Sequence, residues 1–194
     1  MKPLNYLPAP VAITTEGDVS YIFEATNYNL PLYFALKGRH EYELLNRDVL
    51  ISHLQNVVDN FVQQFDVVVI PQSRSDLLTR VISRFPNIIG LSKRDKMEIF
   101  SRVSTTPSWR KLDIQSANKA RDEMGESFTI NTIKSNKRKD YVPHIFHSAS
   151  IPKDRKVLLL DDFVMSGNTI QAMASALEIT EYHTLGIFYQ KNIC

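Results

Sequence analysis

A chain of 194 residues that is 43% hydrophobic and 23% charged carries enough apolar material for one full globular core, with room for a small appended subdomain. Its 23 Lys and Arg against 21 Asp and Glu leave a net charge of +2, which excludes a global polyanion-binding surface and confines any anion site to a local cluster. The only cysteine is Cys194, which excludes an internal disulfide and a cysteine-rich zinc module, so a reducing, cytoplasmic setting is expected.

The N-terminal stretch MKPLNYLPAPVAITTEG has no apolar run of signal-peptide length. Nowhere does the chain reach the roughly 18 consecutive apolar residues of a membrane span, so no membrane contact is expected. From Val11 to Leu36, short runs of alternating character (VAITT, VSYIFEA, LPLYFAL) broken at Gly17-Asp18, Asn29 and Pro31 predict two or three antiparallel strands. Leu44, Leu45, Val49, Leu50, Leu54, Val57, Val58 and Phe61 then recur at helical spacing and predict a long amphipathic helix from about Tyr42 to Gln64. FDVVVIPQSRSDLLTRVISRF reads as a buried strand, a polar loop and a helix. NIIGLS, from Asn87 to Ser92, reads as a second short buried strand, and LSKRDKMEIFSRV as a loop or helix rich in positive charge.

A helix is expected between Ser108 and Met124 and a strand over Ser127 to Ile133, where SFTINTI alternates cleanly. The tract KSNKRKD, with Lys134, Lys137, Arg138 and Lys139, lacks interleaved aromatics. It reads as a solvated hairpin turn rather than a nucleic-acid patch. Last come the strand KVLLLDD, a helix from about Thr169 to Glu178, and the strand HTLGIFYQ. Buried strands alternating with helices predict an α/β fold with a mostly parallel open sheet covered on both faces. Ligands of such sheets bind beyond the carboxyl ends of the strands.

Two strand-to-helix loops lie at that edge, Pro71 to Ser75 and Asp161 to Thr169. In the second, the N–H groups of Met165, Ser166, Gly167, Asn168 and Thr169 and the positive end of the following helix dipole face the same way, which makes a phosphate cradle. Gly167 permits close approach or a positive φ, and the Ser166 and Thr169 hydroxyls can donate to phosphate oxygens. Asp161 and Asp162 repel phosphate but suit ribose hydroxyls or a hydrated Mg²⁺ beside a phosphate. One acid is explained by complementing the helix dipole; a second acid joined to the Ser-Gly-x-Thr cradle is not.

LLLDDFVMSGNT resembles the 5-phosphoribosyl-1-diphosphate (PRPP) motif of type I phosphoribosyltransferases, in which apolar residues precede two acids and a Thr/Ser-Gly-x-Thr loop. ALKGRHEYELL (Ala35 to Leu45) and VVVIPQSRSDLLTR are similar to the ComF-like branch of that family. The resemblance implies a Mg²⁺-dependent transfer of ribosyl 5-phosphate from PRPP to a nitrogen acceptor with loss of diphosphate. It assigns the 5-phosphate to Met165, Ser166, Gly167, Asn168 and Thr169, and catalysis, ribose binding and water-mediated metal binding to Asp161 and Asp162. The diphosphate goes to Gln72, Ser73, Arg74, Ser75, Lys93, Arg94 and Arg102, with a mobile loop over Lys93 to Arg110 closing the site. It further implies residues 1–40 as a hood-like subdomain on a core of residues 41–194, and is compatible with a homodimer. The same resemblance admits a second reading, a non-catalytic sensor or binding module for a phosphoribosyl ligand in a nucleic-acid-related process. His144 and His147 have no carboxylate or cysteine partner nearby in sequence and are not expected to hold metal. Trp109 and Tyr141 are expected to pack rather than stack a base.

Overall fold

The computed structural model describes residues 2–4, 11–26, 29–38, 42–73, 75–104, 138–152 and 154–191. Fifteen short names cover these elements. In chain order they are β1 (Lys2–Leu4), β2 (Thr14–Glu16), β3 (Val19–Glu24), α1 (Leu30–Leu36), β4 (Tyr42–Leu44), α2 (Arg47–Val62), β5 (Val67–Pro71) and α3 (Leu77–Val81). They continue with β6 (Ile88–Leu91), α4 (Lys96–Ser104), α5 (Arg138–Tyr141), a 3₁₀ turn (Val142–His144), β7 (Val157–Val164), α6 (Asn168–Leu177) and β8 (His183–Tyr189). No helix among the described residues is long and apolar enough to cross a membrane.

Six strands form one sheet in the order β2-β3-β8-β7-β5-β6. Every neighbouring pair is parallel except the β2–β3 hairpin, as the alternation of strands and helices predicts. The side-chain period of two divides the core between the two faces. Val68, Ile70, Leu158, Leu160, Leu185 and Ile187 point to the side covered by α1, α2 and α3. Val67, Val69, Val157 and Leu159 point to the side covered by α6 and by Val142, Ile145 and Phe146. Strands buried on both faces explain the unbroken apolar runs VVVI and VLLL.

Several expectations change at the level of tertiary contacts. LPLYFAL is helix α1 rather than a strand. Pro31 lies in its first turn, where a fixed φ and a missing N–H are harmless, while Leu32, Ala35 and Leu36 are buried. The hairpin β2–β3, turned at Gly17 with φ +57°, is hydrogen-bonded through β3 to β8, so it widens the core sheet. The long helix starts at Arg47 rather than near Tyr42, because Tyr42–Leu44 pairs with β1; Leu45 and Val49 are exposed, and Leu50, Ile51, Leu54, Val58 and Val62 form the buried stripe. NIIGLS is a strand, but a terminal one, with only Leu91 of β6 buried. The helix expected from Ser108 and the strand over Ser127 to Ile133 lie outside the described residues, as do Trp109, Lys134 and Lys137. Arg138 and Lys139 open a helical turn, α5, rather than a hairpin turn. Tyr141 packs in the core, its ring 5.7 Å from that of Phe100.

The order in which strands are laid down reverses between the parallel strands β5 and β7: from β5 the sheet runs on to β6, and from β7 it runs the other way to β8. That is the position at which open α/β sheets leave a crevice beyond the strand ends. The β5–β7 pairing covers Val67 to Val69 against Val157 to Leu159, whereas β7 remains paired with β8 as far as Val164. The two strands therefore part company before the loops that follow them.

Candidate functional site

A pocket of 330 Å³ opens at this crevice. Its floor is the end of β7, which does not stop at the two acids but runs through them to Val164. Asp161 sits in register opposite Gly186 of β8, and Phe163 opposite Phe188. Asp161 and Asp162 are 5% and 8% exposed and both line the pocket. The Asp162 N–H donates to Asp161 Oδ1 at 2.9 Å. Burial, and then the neighbouring Asp162 charge, push the Asp161 carboxyl up to about 7.

The loop from Met165 to Thr169 forms one wall. Gly167 caps α6 with φ +70° and ψ 0°, a left-handed conformation that glycine adopts without penalty. Its carbonyl accepts the Gln171 N–H at 2.8 Å, and Asn168 Nδ2 donates to Ser166 Oγ at 2.6 Å. Met165, Ser166, Gly167, Asn168 and Thr169 all line the pocket, at the N-terminus of a ten-residue helix whose first N–H groups have no partners within the helix.

The loop after β5 supplies a second wall only in part. Gln72 and Ser73 line the pocket, as does Lys93 after β6. Ser75 does not; its hydroxyl accepts the Leu77 N–H at 3.3 Å, a local turn bond just ahead of the α3 N-cap residue Asp76. Arg74 lies outside the described residues.

Arg94, assigned to the diphosphate by the resemblance, is not among the residues that line the pocket. It is 8% exposed, its N–H donates to Ile145 O at 2.8 Å, and its guanidinium donates to the carbonyls of His144 and Phe146. Its Nε lies 3.0 Å from Glu98 Oε1. Two carbonyls bonded by one guanidinium nitrogen, and a carboxylate paired with it in charge, fasten the start of α4 to the turn after Tyr141. Arg94→Ala is expected to reduce unfolding free energy by about 3 kcal/mol, because Glu98 and two carbonyls lose a desolvated cation. A urea midpoint equal to that of the wild type would remove this structural role.

Arg102 likewise stands away from the pocket lining, with Nε 3.0 Å from Glu98 Oε1. The expected closing loop, Lys93 to Arg110, is described as far as residue 104. Residues 96–104 form a helix that begins at Asp95, whose carboxylate accepts the Glu98 N–H at 2.8 Å, and that buries Ile99, Phe100 and Val103. A segment docked by three apolar side chains is anchored rather than poised to swing; residues 105–110 lie outside the described residues.

Sequence reasoning missed the third wall. Helix α1 brings Leu30, Tyr33, Phe34 and Lys37 to the pocket. Tyr33 packs its ring 5.0 Å from Phe163 and 5.4 Å from Phe188, which ties α1 to the floor. Lys37 forms an ion pair with Asp162 Oδ2, and its Nζ lies 3.3 Å from the Tyr33 hydroxyl. The Tyr33 hydroxyl in turn stands 3.5 Å from Asp162 Oδ1. Burial, and then Asp162, push the Tyr33 phenol up to about 12. Burial opposes the Lys37 charge, but Asp162 and Tyr33 together hold its ammonium above its ordinary value. The available signal was the spacing of Tyr33 and Lys37, four apart, which places both on one side of a helix once the segment is read as helical.

The donor set fits a hydrated divalent cation. Asp161 is a buried carboxylate whose one hydrogen-bond donor among the described residues is the backbone N–H of Asp162, so oxygen lone pairs remain open toward the pocket. No group of three or more His, Cys, Asp or Glu side chains converges among the described residues. A hard cation here would thus complete its shell with water and ligand oxygens.

No curated protein matches the chain. The model of the phosphoribosyl transferase domain family matches residues 49–188, a span that begins in α2 and ends in β8 and takes in the acids, the cradle and both strands flanking the crevice. Since that span is well over half of the 194 residues, the chain belongs to the phosphoribosyl transferase domain family.

Proposed function

We propose that this protein binds PRPP together with Mg²⁺ and transfers its ribosyl 5-phosphate to a nitrogen nucleophile, releasing diphosphate, in the manner of the ComF-like branch. The observation that carries the reading is the convergence, at one crevice, of a left-handed glycine cradle and two buried acids. The cradle N–H groups and the Ser166 and Thr169 hydroxyls hold the 5-phosphate. Asp161 and Asp162 accept hydrogen bonds from the ribose hydroxyls and fix the sugar over the floor of the pocket. Gln72, Ser73 and Lys93 face the diphosphate, and α1, from the N-terminal residues 1–40, forms the acceptor-side wall with Tyr33 and Phe34. Asp161 and Asp162 would hold Mg²⁺, which would supply positive charge to the departing diphosphate. Positive charge building on the ribose in the transition state lies over two carboxylates, which stabilise it electrostatically.

The test is incubation with PRPP and Mg²⁺ across a panel of purine, pyrimidine and other nitrogen bases, with diphosphate release followed continuously. Release that requires one acceptor is the expected result. Calorimetric binding of PRPP without release under any acceptor would replace transfer by the sensor reading, and no binding at all would overturn both.

A further inference from the structure

Two carboxylates on adjacent residues of one strand, both almost fully buried, ought to repel each other and gather a cation. The chain supplies that cation itself. Lys37 reaches Asp162 from α1, with the two side chains 20% and 11% exposed, and its ammonium also stands over the Tyr33 ring at 5.4 Å from the centroid. Lys37 lies outside the residues matched by the family model, so the match does not account for it. Its position is fixed from both ends of the helix: Arg47 donates to the Leu36 carbonyl at 2.9 Å, and the Tyr33 ring is wedged against Phe163 and Phe188.

We infer that Lys37 is a positioning residue that serves as a resident counter-cation of the paired acids, occupying at Asp162 the place where a divalent cation would otherwise collect. An ammonium held against one carboxylate halves the net charge of the pair and removes one of its oxygens from metal coordination. The protein alone then leaves free Mg²⁺ in solution. On the proposed transfer reading, the metal enters with the diphosphate, and the ribose hydroxyls meet an Asp162 already held by Lys37 at the pocket wall.

The experiment uses the full chain, stripped with chelator and titrated with Mn²⁺ as a spin probe, without PRPP, the free ion being read by electron paramagnetic resonance. Wild-type protein is expected to take up no stoichiometric Mn²⁺ in the micromolar range. Lys37→Met and Lys37→Gln are each expected to bind one Mn²⁺ roughly tenfold tighter or more, Gln keeping a donor to Asp162 should Met disturb folding. Lys37→Arg restores wild-type behaviour, and adding Asp162→Asn to either neutral variant abolishes the gain. A stoichiometric, Asp162-dependent Mn²⁺ site in the wild type overturns the inference without recourse to any Lys37 variant. Equal affinities in wild type and both neutral variants do the same. Because no phosphoribosyl compound is present, these outcomes are separate from the success or failure of the PRPP assay.

Discussion

Asp161→Asn is expected to stabilise the protein and Asp162→Asn to destabilise it, although the two residues are neighbours of identical chemistry. Asp161 is buried and its one close donor among the described residues is a backbone N–H, which an asparagine Oδ1 can still accept from. The folded chain holds the Asp161 proton up to about 7, against an ordinary value of 3.8. Between those two values the folded state binds more protons than the unfolded state, so stability is lost as pH rises through the window, by about 1.4 kcal/mol per pH unit at most. Asp161→Asn removes that slope. Asp162→Asn instead leaves the Lys37 ammonium with the Tyr33 hydroxyl alone, a loss of about 2 kcal/mol for a pair that retains some solvent contact. For a domain of this size that shifts the melting temperature by roughly 5 °C. Urea unfolding in chelator at about pH 5 and about pH 8 reads both effects. An Asp161→Asn protein with the wild-type pH slope, or an Asp162→Asn protein as stable as the wild type, would contradict the electrostatics described for the site. On the proposed transfer reading, both variants are expected to bind PRPP more weakly, since each would lose an acceptor for a ribose hydroxyl.

Gly167→Val is expected to weaken binding of ribose 5-phosphate and PRPP by roughly tenfold or more. The cause is the backbone rather than a collision. A Cβ built on Gly167 meets no atom within 4 Å, but φ is +70°, a region in which a β-branched residue is a strained outlier. Relief of that strain rotates the peptides of the cradle, and the N–H groups at the start of α6 no longer converge on one phosphate. Asparagine tolerates the left-handed region far better, so Gly167→Asn should recover most of the affinity that valine loses. Calorimetry with ribose 5-phosphate decides the matter. A folded valine variant with unchanged affinity would remove the cradle assignment, and equal losses for valine and asparagine would point to side-chain bulk instead of φ.

What the sequence by itself determined was local or periodic. The runs VVVI and VLLL mark strands buried on both faces, because a strand with no polar face can only lie inside a covered parallel sheet. The junction of VLLLDD with SGNT marks a strand feeding a helix, and the glycine there is in the positive-φ conformation that the cradle needs. These features place the acids and the Met165 to Thr169 wall of the pocket, since every residue concerned lies within one strand, turn and helix. What only the tertiary structure decided depends on partners distant in the chain. LPLYFAL looks like a strand until its apolar side chains find β7 and β8 to cover, and then Pro31 serves as a helix opener. YEL belongs to the long helix by periodicity but is drawn out of it by pairing with β1. Arg94 carries the same charge as Lys93, yet one side chain turns inward to three acceptors and the other lines the pocket, because the carbonyls that claim Arg94 come from residues some fifty positions later in the sequence. Lys37 reaches Asp162 across an even longer interval. An ion pair of that kind has no periodicity and no motif; it exists only because α1 is wedged against the end of β7 by aromatic packing, and that contact is what separates the roles of the two adjacent acids.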